Sequence, residues 1–311
     1  MKALVFGGNG FIGSHLVERL AGAGHVVRVY DQVCRKSTAA GAVEQITEAF
    51  GAVSPMRRAL AGVDVVYHLV SSTMPGTSLD PTADIEANLI GTVHLLELMK
   101  EMPTKRIVFI SSGGTVYGEP EHVPILEDHP LLPLCSYGVV KVAIEHYLRL
   151  YRRLHGLSPT ILRPANAYGP NQSHIGVQGL ISTVLRKIKD GTAVTIWGDG
   201  SAVRDYIHVC DLVDLCLLAG ESDQCGPFNV GSGQGHSVCR VLDIIREVVG
   251  TVPDIHFAPG RPLDVSRNIL DVTRVRAAFG WKAAISLPEG IRALWQWMNE
   301  QPNGLESGGR S

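Results

Sequence analysis

Seven residues near the start constrain the fold more than any other stretch: Gly7-Gly8-Asn9-Gly10-Phe11-Ile12-Gly13. The apolar run Ala3–Phe6 precedes them and reads as a buried strand. Phe11–Ala23 follows with helical spacing, and Phe11, Ile12, Leu16, Val17 and Leu20 fall on one side. A second β-rich run, Val26–Tyr30, ends at Asp31. Strand, turn, helix and strand in that order make the opening βαβ unit of a parallel sheet. A lone glycine pattern is weak evidence, and a turn without function is the plain alternative. The strand-turn-helix context tells against that alternative. In it, Gly7 and Gly10 let backbone amides approach a pyrophosphate, and the helix N-terminus adds a favourable dipole. Gly13 lets helix and strand pack closely.

The alternation continues. Asp64–Val70, Arg106–Ser111 and Thr160–Arg163 read as strands, the last stopped by Pro164. Ile85–Met102 and Tyr137–Leu154 read as long helices between them. The expected class is α/β, a Rossmann-type doubly wound parallel sheet. After Tyr168 glycines and prolines become frequent and the elements shorten. Helices are expected at Leu180–Lys189, Asp211–Ala219, Val238–Val249 and Leu287–Met298, and a strand at Val194–Trp197. This predicts a smaller mixed α/β substrate-binding lobe. Residues 1–168 form the expected dinucleotide domain, with a returning segment near 201–232. Residues 169–300 form mainly the lobe, and the polar stretch 301–311 is expected to be disordered.

The chain has 311 residues, 45% hydrophobic and 19% charged, enough for one large domain or two intimate ones. A net charge of −2 leaves no electrostatic footprint for nucleic acid. Any bound phosphate must be held locally. Cys34, Cys135, Cys210, Cys216, Cys225 and Cys239 contain no C-x-x-C pair, so neither a metal nor a redox centre is expected. Reduced thiols in a cytoplasmic enzyme fit better. No window approaches the ~18 apolar residues of a membrane helix, and the start is too short in apolar residues for a signal peptide. The expected location is the cytoplasm, with no membrane partner.

Three further segments carry chemistry. Asp31, ending the second strand, can accept hydrogen bonds from an adenosine ribose and repel a 2′-phosphate, which favours NAD. Nearby Arg35 and Lys36 keep a 2′-phosphate in play. Tyr137 and Lys141 stand four apart on one helix face. A phenol titrates at about 10 when unperturbed. A neighbouring ammonium and a cationic nicotinamide lower that value, so the tyrosine can take a proton from a sugar hydroxyl. The spacing alone is common among surface pairs; its place downstream of the nucleotide turn gives it weight. Ser111-Ser112-Gly113-Gly114-Thr115-Val116-Tyr117-Gly118 follows a strand on the edge that faces the ligand crevice, and its hydroxyls can hold a sugar.

Together these segments resemble the extended short-chain dehydrogenase/reductases, and within them the UDP-glucose 4-epimerases. The landmarks run from Lys2 to about Met298. They include Asn88-Leu89-Ile90-Gly91-Thr92, Leu162-Arg163-Pro164-Ala165-Asn166, Val203-Arg204-Asp205-Tyr206-Ile207-His208-Val209 and Arg261-Pro262-Leu263-Asp264. The resemblance implies Tyr137 as proton acceptor, tuned by Lys141, which also holds the nicotinamide ribose. It implies NAD held by Gly7, Gly10, Phe11, Ile12, Gly13, Asp31, Leu69, Asn88, Ser111 and Pro164, besides Tyr137 and Lys141. Asn88 would buttress the active-site helix or the cofactor. The UDP-sugar would lie against Ser112, Gly113 and Asn166, with Thr195 and Trp197 near the base. Arg204 and Arg261 would grip the diphosphate and Asp264 the uridine ribose. The two long helices imply a homodimer.

The sequence departs from the family pattern in four places. Gly113 replaces the serine or threonine expected four residues before Tyr117, so Thr115, or next Ser112, must supply the bridging hydroxyl. The aspartate that touches adenine is missing around Phe50-Gly51. The loop Val70-Ser71-Ser72-Thr73-Met74-Pro75 lacks a lysine found in some relatives. Asn268 stands where residue size governs entry of N-acetyl groups, and is intermediate in size.

The implied reaction is 4-epimerisation through a keto sugar. A 4,6-dehydratase is a rival on the same fold, but Gly114 and Thr115 stand where its acid/base pair belongs. A 4-ketoreductase or dehydrogenase with net redox turnover is another. A non-catalytic nucleotide-binding protein is the rival of a different class; retention of both Tyr137 and Lys141 weighs against it.

Overall fold

Strand β1 (Lys2–Phe6) runs into the glycine turn, and helix α1 (Phe11–Gly22) returns the chain to β2 (Val26–Asp31), with Phe6 opposite Tyr30. The computed structural model describes residues 1–34, 43–72, 80–172, 179–261 and 264–301. Arg35, Lys36 and residues 302–311 of the expected tail lie outside them, as do Thr73, Met74 and Pro75. After β2 come β3 (Val43–Thr47), α2 (Val53–Leu60), β4 (Val65–His68) and α3 (Pro81–Asp84). A π-helical turn, Ile85–Ile90, leads into α4 (Gly91–Glu101), β5 (Arg106–Ile110), α5 (Ser136–His155) and β6 (Ser158–Pro164). Then follow β7 (Asn166–Tyr168), α6 (Leu180–Asp190), β8 (Val194–Trp197), β9 (Val203–His208), α7 (Val209–Glu221) and β10 (Gly226–Val230). The chain ends through β11 (Gly235–Ser237), α8 (Val238–Val249), β12 (Ile255–Ala258), β13 (Arg267–Asn268), α9 (Thr273–Phe279) and α10 (Leu287–Glu300).

Seven strands form one sheet in the order β3-β2-β1-β4-β5-β6-β10, every pair parallel. It is buried on both faces, which is why its inner strands are apolar without alternation. Ala3 and Val5 of β1 pack towards Leu16 and Leu20 of α1 and Leu212 and Leu215 of α7. Leu4 and Phe6 point the other way, to Met56 of α2, Leu95 and Met99 of α4, and Ile144 and Leu148 of α5. Full burial of each such side chain contributes about 1.5–3 kcal/mol. The order of connection reverses between β1 and β4, so a crevice opens beyond their C-terminal ends.

The remaining strands are short. Strand β9 lies beside β11, β13 and β7, and β8 pairs with β12. Ile181 and Leu185 of α6, Val241 and Ile245 of α8, and Ile291 and Leu294 of α10 make a separate apolar cluster under them. Between these pieces the chain returns to the large sheet: α7 lies against α1, and β10 adds the seventh strand.

In the first half of the chain, two segments differ from the sequence reading. The expected helix Ile85–Met102 is a π-turn followed by α4, and the short helix α3 precedes it. The segment between Asp31 and Val63 contains a strand and a helix that the sequence reading did not assign, β3 and α2.

Candidate active site

Sheet geometry brings the C-terminal ends of β1, β4, β5 and β6 to one edge, together with the N-termini of α1 and α5. Gly7 takes φ +80°, a left-handed conformation that favours glycine. A Cβ on Gly13 would stand 2.0 Å from the Gly7 carbonyl oxygen, so only glycine lets α1 begin this close to the turn. Gly10 caps α1 without a side-chain hydrogen bond. The first-turn amides of Phe11, Ile12 and Gly13 therefore stay available to an anion at the crevice. Asp31 closes the far side: its Oδ2 accepts from the Asn9 amide at 2.9 Å and its Oδ1 from the Val33 amide at 3.2 Å. Asn9 Nδ2 in turn donates to the Val33 carbonyl at 2.6 Å. Leu69 continues β4 by donating its amide to the Phe6 carbonyl at 3.0 Å. An uncapped helix start, a left-handed glycine and an oriented carboxylate form a donor and acceptor set that fits the pyrophosphate and ribose of NAD.

Tyr137 and Lys141 lie in the first turns of α5. Lys141 is buried; its Nζ donates to the Ile110 carbonyl at 2.9 Å and sits 4.8 Å from the Phe109 ring centroid and 5.5 Å from that of Tyr137. Burial pushes Lys141 down to about 8, against the pull of Glu145. Burial likewise pushes Tyr137 up to about 12, opposed by hydrogen bonds from the Ser71 and Ser112 side chains. The free protein thus holds a neutral phenol, where the sequence reading anticipated a lowered one. Desolvation outweighs the two serine hydrogen bonds.

The loop after β5 is pinned to β6. The Ser111 amide donates to Leu162 at 2.7 Å, and the Gly113 amide to the Pro164 carbonyl at 2.8 Å. A Cβ on Gly113 would meet Leu270 Cδ1 at 2.5 Å and the Arg163 carbonyl oxygen at 2.9 Å. The hydroxyl missing at this position has no room. Its place beside the phenol is taken by Ser112, whereas the Thr115 hydroxyl is buried without a hydrogen-bond partner among the described residues. This reverses the order in which the sequence suggested the two. Ser111 turns instead to Glu145, donating to Oε1 at 2.6 Å.

The π-turn places Asn88 under the loop after β4. Its Oδ1 accepts from the Ser72 amide at 2.9 Å and the Ser72 hydroxyl at 3.0 Å. Thr92 Oγ1 donates to the Asn88 carbonyl at 2.6 Å and lies 2.8 Å from His68 Nε2. Asn88 thereby fixes the loop that presents Ser71 to Tyr137. The sequence marked Asn88 but gave Ser71 no role.

Across the crevice, Asn166 Nδ2 donates to the Asp205 carbonyl at 3.0 Å, beside the start of the small sheet. Arg204 Nη1 donates to the Val203 carbonyl at 2.9 Å, and burial lowers its pKa against the charges of Asp264 and Glu119. Thr195 and Trp197 share the exposed face of β8, and the Arg261 guanidinium lies 4.4 Å over the Trp197 ring. Asn268 joins the halves: it is buried, its Nδ2 donates to the Gly113 carbonyl at 3.0 Å, and its Oδ1 has no partner among the described residues. Pro262 and Leu263 lie outside the described residues. Among the described residues no cluster of His, Cys, Asp or Glu could hold a metal, and no helix is long and apolar enough to cross a membrane.

A parallel sheet whose switch-point crevice gathers a glycine turn, an acidic strand end and a Tyr–Lys helix face defines a dinucleotide-dependent enzyme of the short-chain dehydrogenase/reductase type. Residues 3–231 match the NAD dependent epimerase/dehydratase family. The UDP-glucose 4-epimerase of Mycolicibacterium smegmatis is 36% identical over 306 residues, covering 94% of this chain and 96% of that protein. The crystal structure of UDP-glucose 4-epimerase with UDP-glucose from Thermotoga maritima superposes with a TM-score of 0.91 at 33% identity, covering 96% of this chain and 99% of the other. That of Thermus thermophilus, in complex with NAD, gives 0.90 at 35% identity, with coverage of 96% and 99%. The chain belongs to the NAD dependent epimerase/dehydratase family.

Proposed function

We propose that the protein is an NAD-dependent nucleotide-sugar 4-epimerase acting on UDP-glucose and UDP-galactose, or on their N-acetyl or uronic relatives. The observation that carries this reading is the Tyr137 phenol, bonded by Ser112 and Ser71 and backed by Lys141, at the mouth of a dinucleotide crevice. Tyr137 takes the proton of the C4 hydroxyl and later returns it. Bound NAD supplies the acceptor and donor for the C4 hydride. Lys141 stabilises the phenolate and holds the nicotinamide ribose. Ser112 orients the C4 oxygen. Arg204 and Arg261 hold the diphosphate through guanidinium forks, Asp264 the uridine ribose, and Thr195 with Trp197 the base. The sugar itself meets Asn166 and the small Gly113-Gly114 wall, so the keto ring can turn over before hydride returns to its opposite face. Gly114 and Thr115 offer no carboxyl group to expel the C6 hydroxyl, so the route stops at the keto sugar and returns.

Residues 1–168, with the return near 201–232, act as the cofactor-binding unit and residues 169–300 mainly as the sugar-nucleotide lobe. Two copies pair through α5. Val139, Tyr147, Leu150 and Leu154 recur at helical spacing on its outer face, 53%, 37%, 44% and 61% exposed, and Ile85 and Ile90 are exposed on the π-turn before α4. The enzyme works in the cytoplasm, where nucleotide sugars and reduced cysteines are at home. The test incubates the purified protein with a panel of UDP-sugars and follows the anomeric protons by NMR. A C4 epimer formed without added reductant supports the reading, and a 4-keto-6-deoxy product overturns it.

A further inference from the structure

Helix α5 carries a third polar residue on the face of Tyr137 and Lys141. Glu145 follows Lys141 by four residues, so the three side chains stack along one side of the helix. Glu145 and Arg163 of β6 are both fully buried. Arg163 Nε donates to Glu145 Oε1 at 3.0 Å and Nη2 to Oε2 at 2.6 Å, a two-pronged contact. Ser111, at the end of β5, donates to the same Oε1 at 2.6 Å. The free arm of the guanidinium, Nη1, donates to the Tyr117 hydroxyl at 2.8 Å and the Glu127 carbonyl at 3.0 Å.

As a stabilising device such a pair is poor, because desolvating both charges cancels most of their attraction and an apolar pair of equal volume serves as well. What it supplies is direction. A guanidinium fork accepts a carboxylate in one plane, so the contact fixes how α5 is rotated against the β5–β6 edge. It also puts a negative charge behind Lys141. Among the described residues, the other groups set against that ammonium supply none: Tyr137 on α5, the Phe109 ring and Ile110 carbonyl on β5, and His68 on β4. Burial and Lys141 hold His68 down at about 3, so it is neutral. Arg163 from β6 is positive and spent on Glu145.

We propose that Glu145, clamped by Arg163 and Ser111, is a positioning residue for the reaction, fixing the rotation of α5 and supplying the counter-charge of Lys141. The proposal rests on the reading of Tyr137 as proton acceptor. Burial lowers Lys141 and Glu145 raises it. With the carboxylate gone, burial acts alone, the ammonium is lost at lower pH, and the alkaline limb of kcat moves down.

The test is the double variant Glu145→Gln with Arg163→Met, which removes both charges and strands neither. It is compared with wild type for melting temperature, retained NAD, KM for UDP-glucose, and kcat across pH. The expected result is a folded protein with NAD retained and KM within about threefold. Its kcat falls by roughly tenfold or more and its alkaline limb moves down by about one pH unit. A folded double variant with wild-type kcat and wild-type limbs overturns the proposal. If the double variant does not fold, Glu145→Asp decides: it keeps the charge but withdraws the carboxylate, so kcat falls while the limb stays, and an unchanged kcat overturns the proposal. Wild-type protein that forms no C4 epimer points instead to failure of the functional reading itself.

Discussion

Replacing Lys141 by methionine isolates the charge on which the proposed base depends. In the free protein Tyr137 sits at about 12 and Lys141 at about 8. To act as a base near neutral pH the phenol must fall by roughly five pKa units, or about 7 kcal/mol. Lys141 Nζ lies 5.5 Å from the ring centroid. At an effective dielectric constant of about 20, a unit charge at that separation contributes about 3 kcal/mol, or about two of those units. The Ser71 and Ser112 hydroxyls already act in the starting value, so the positive ring of oxidised NAD must supply the remainder. A base works deprotonated, so kcat rises with pH through this pKa, and loss of the ammonium moves the rise upward. Lys141→Met is expected to shift the acid limb of kcat up by about two pH units and to slow turnover at neutral pH about a hundredfold. The assay is the initial rate of UDP-glucose to UDP-galactose conversion across pH, at saturating sugar and saturating NAD so that weaker cofactor binding does not enter. An acid limb within about half a unit of wild type refutes the reasoning.

Other substitutions probe separate parts of the site. Ser112→Ala is expected to lower kcat about tenfold, and Thr115→Ala less than about threefold, because of these two only Ser112 bonds the phenol; equal losses contradict the assignment. Gly113→Ser, although it supplies the hydroxyl that the sequence reading expected there, is expected to cost about 1–3 kcal/mol by overpacking against Leu270 and the Arg163 carbonyl. Thermal melting measures this, and an unchanged melting point with a raised kcat tells against it. Asp31→Ala is expected to weaken NAD retention by roughly tenfold to a hundredfold through loss of a charged ribose acceptor. Equilibrium dialysis with NAD reads that change, and undiminished affinity places the ribose elsewhere.

The parts legible in the sequence were those with a local cause. The strand, glycine turn and helix at Lys2–Gly22 announce themselves because each residue's role is settled by its immediate neighbours. So does the pair Tyr137 and Lys141, four apart on one helix. Strand β3 was not legible: Val-Glu-Gln-Ile-Thr is an edge strand with no fully buried residue, so the apolar signal is weak. The π-turn was not legible either, since its period departs from that of the helix around it only for Ile85–Ile90. Ser71 and Arg163 reach the site through strand order alone, which brings residues far apart in sequence to one edge. Glu145 did leave a trace. It follows Lys141 by four residues within the stripe Val140, Ile144 and Leu148, and a carboxylate on a buried face needs a buried partner. Gly113 explains itself only in three dimensions, through Leu270 and the β6 carbonyls.

The most direct test follows the hydride. UDP-glucose carrying deuterium at C4 is incubated with the purified enzyme in ordinary water, and the label is located by NMR and mass spectrometry. Abstraction and return at one carbon predict deuterium still on C4 of the UDP-galactose formed, with a primary isotope effect on turnover. Label found on C6, or washed out to solvent, contradicts the assignment.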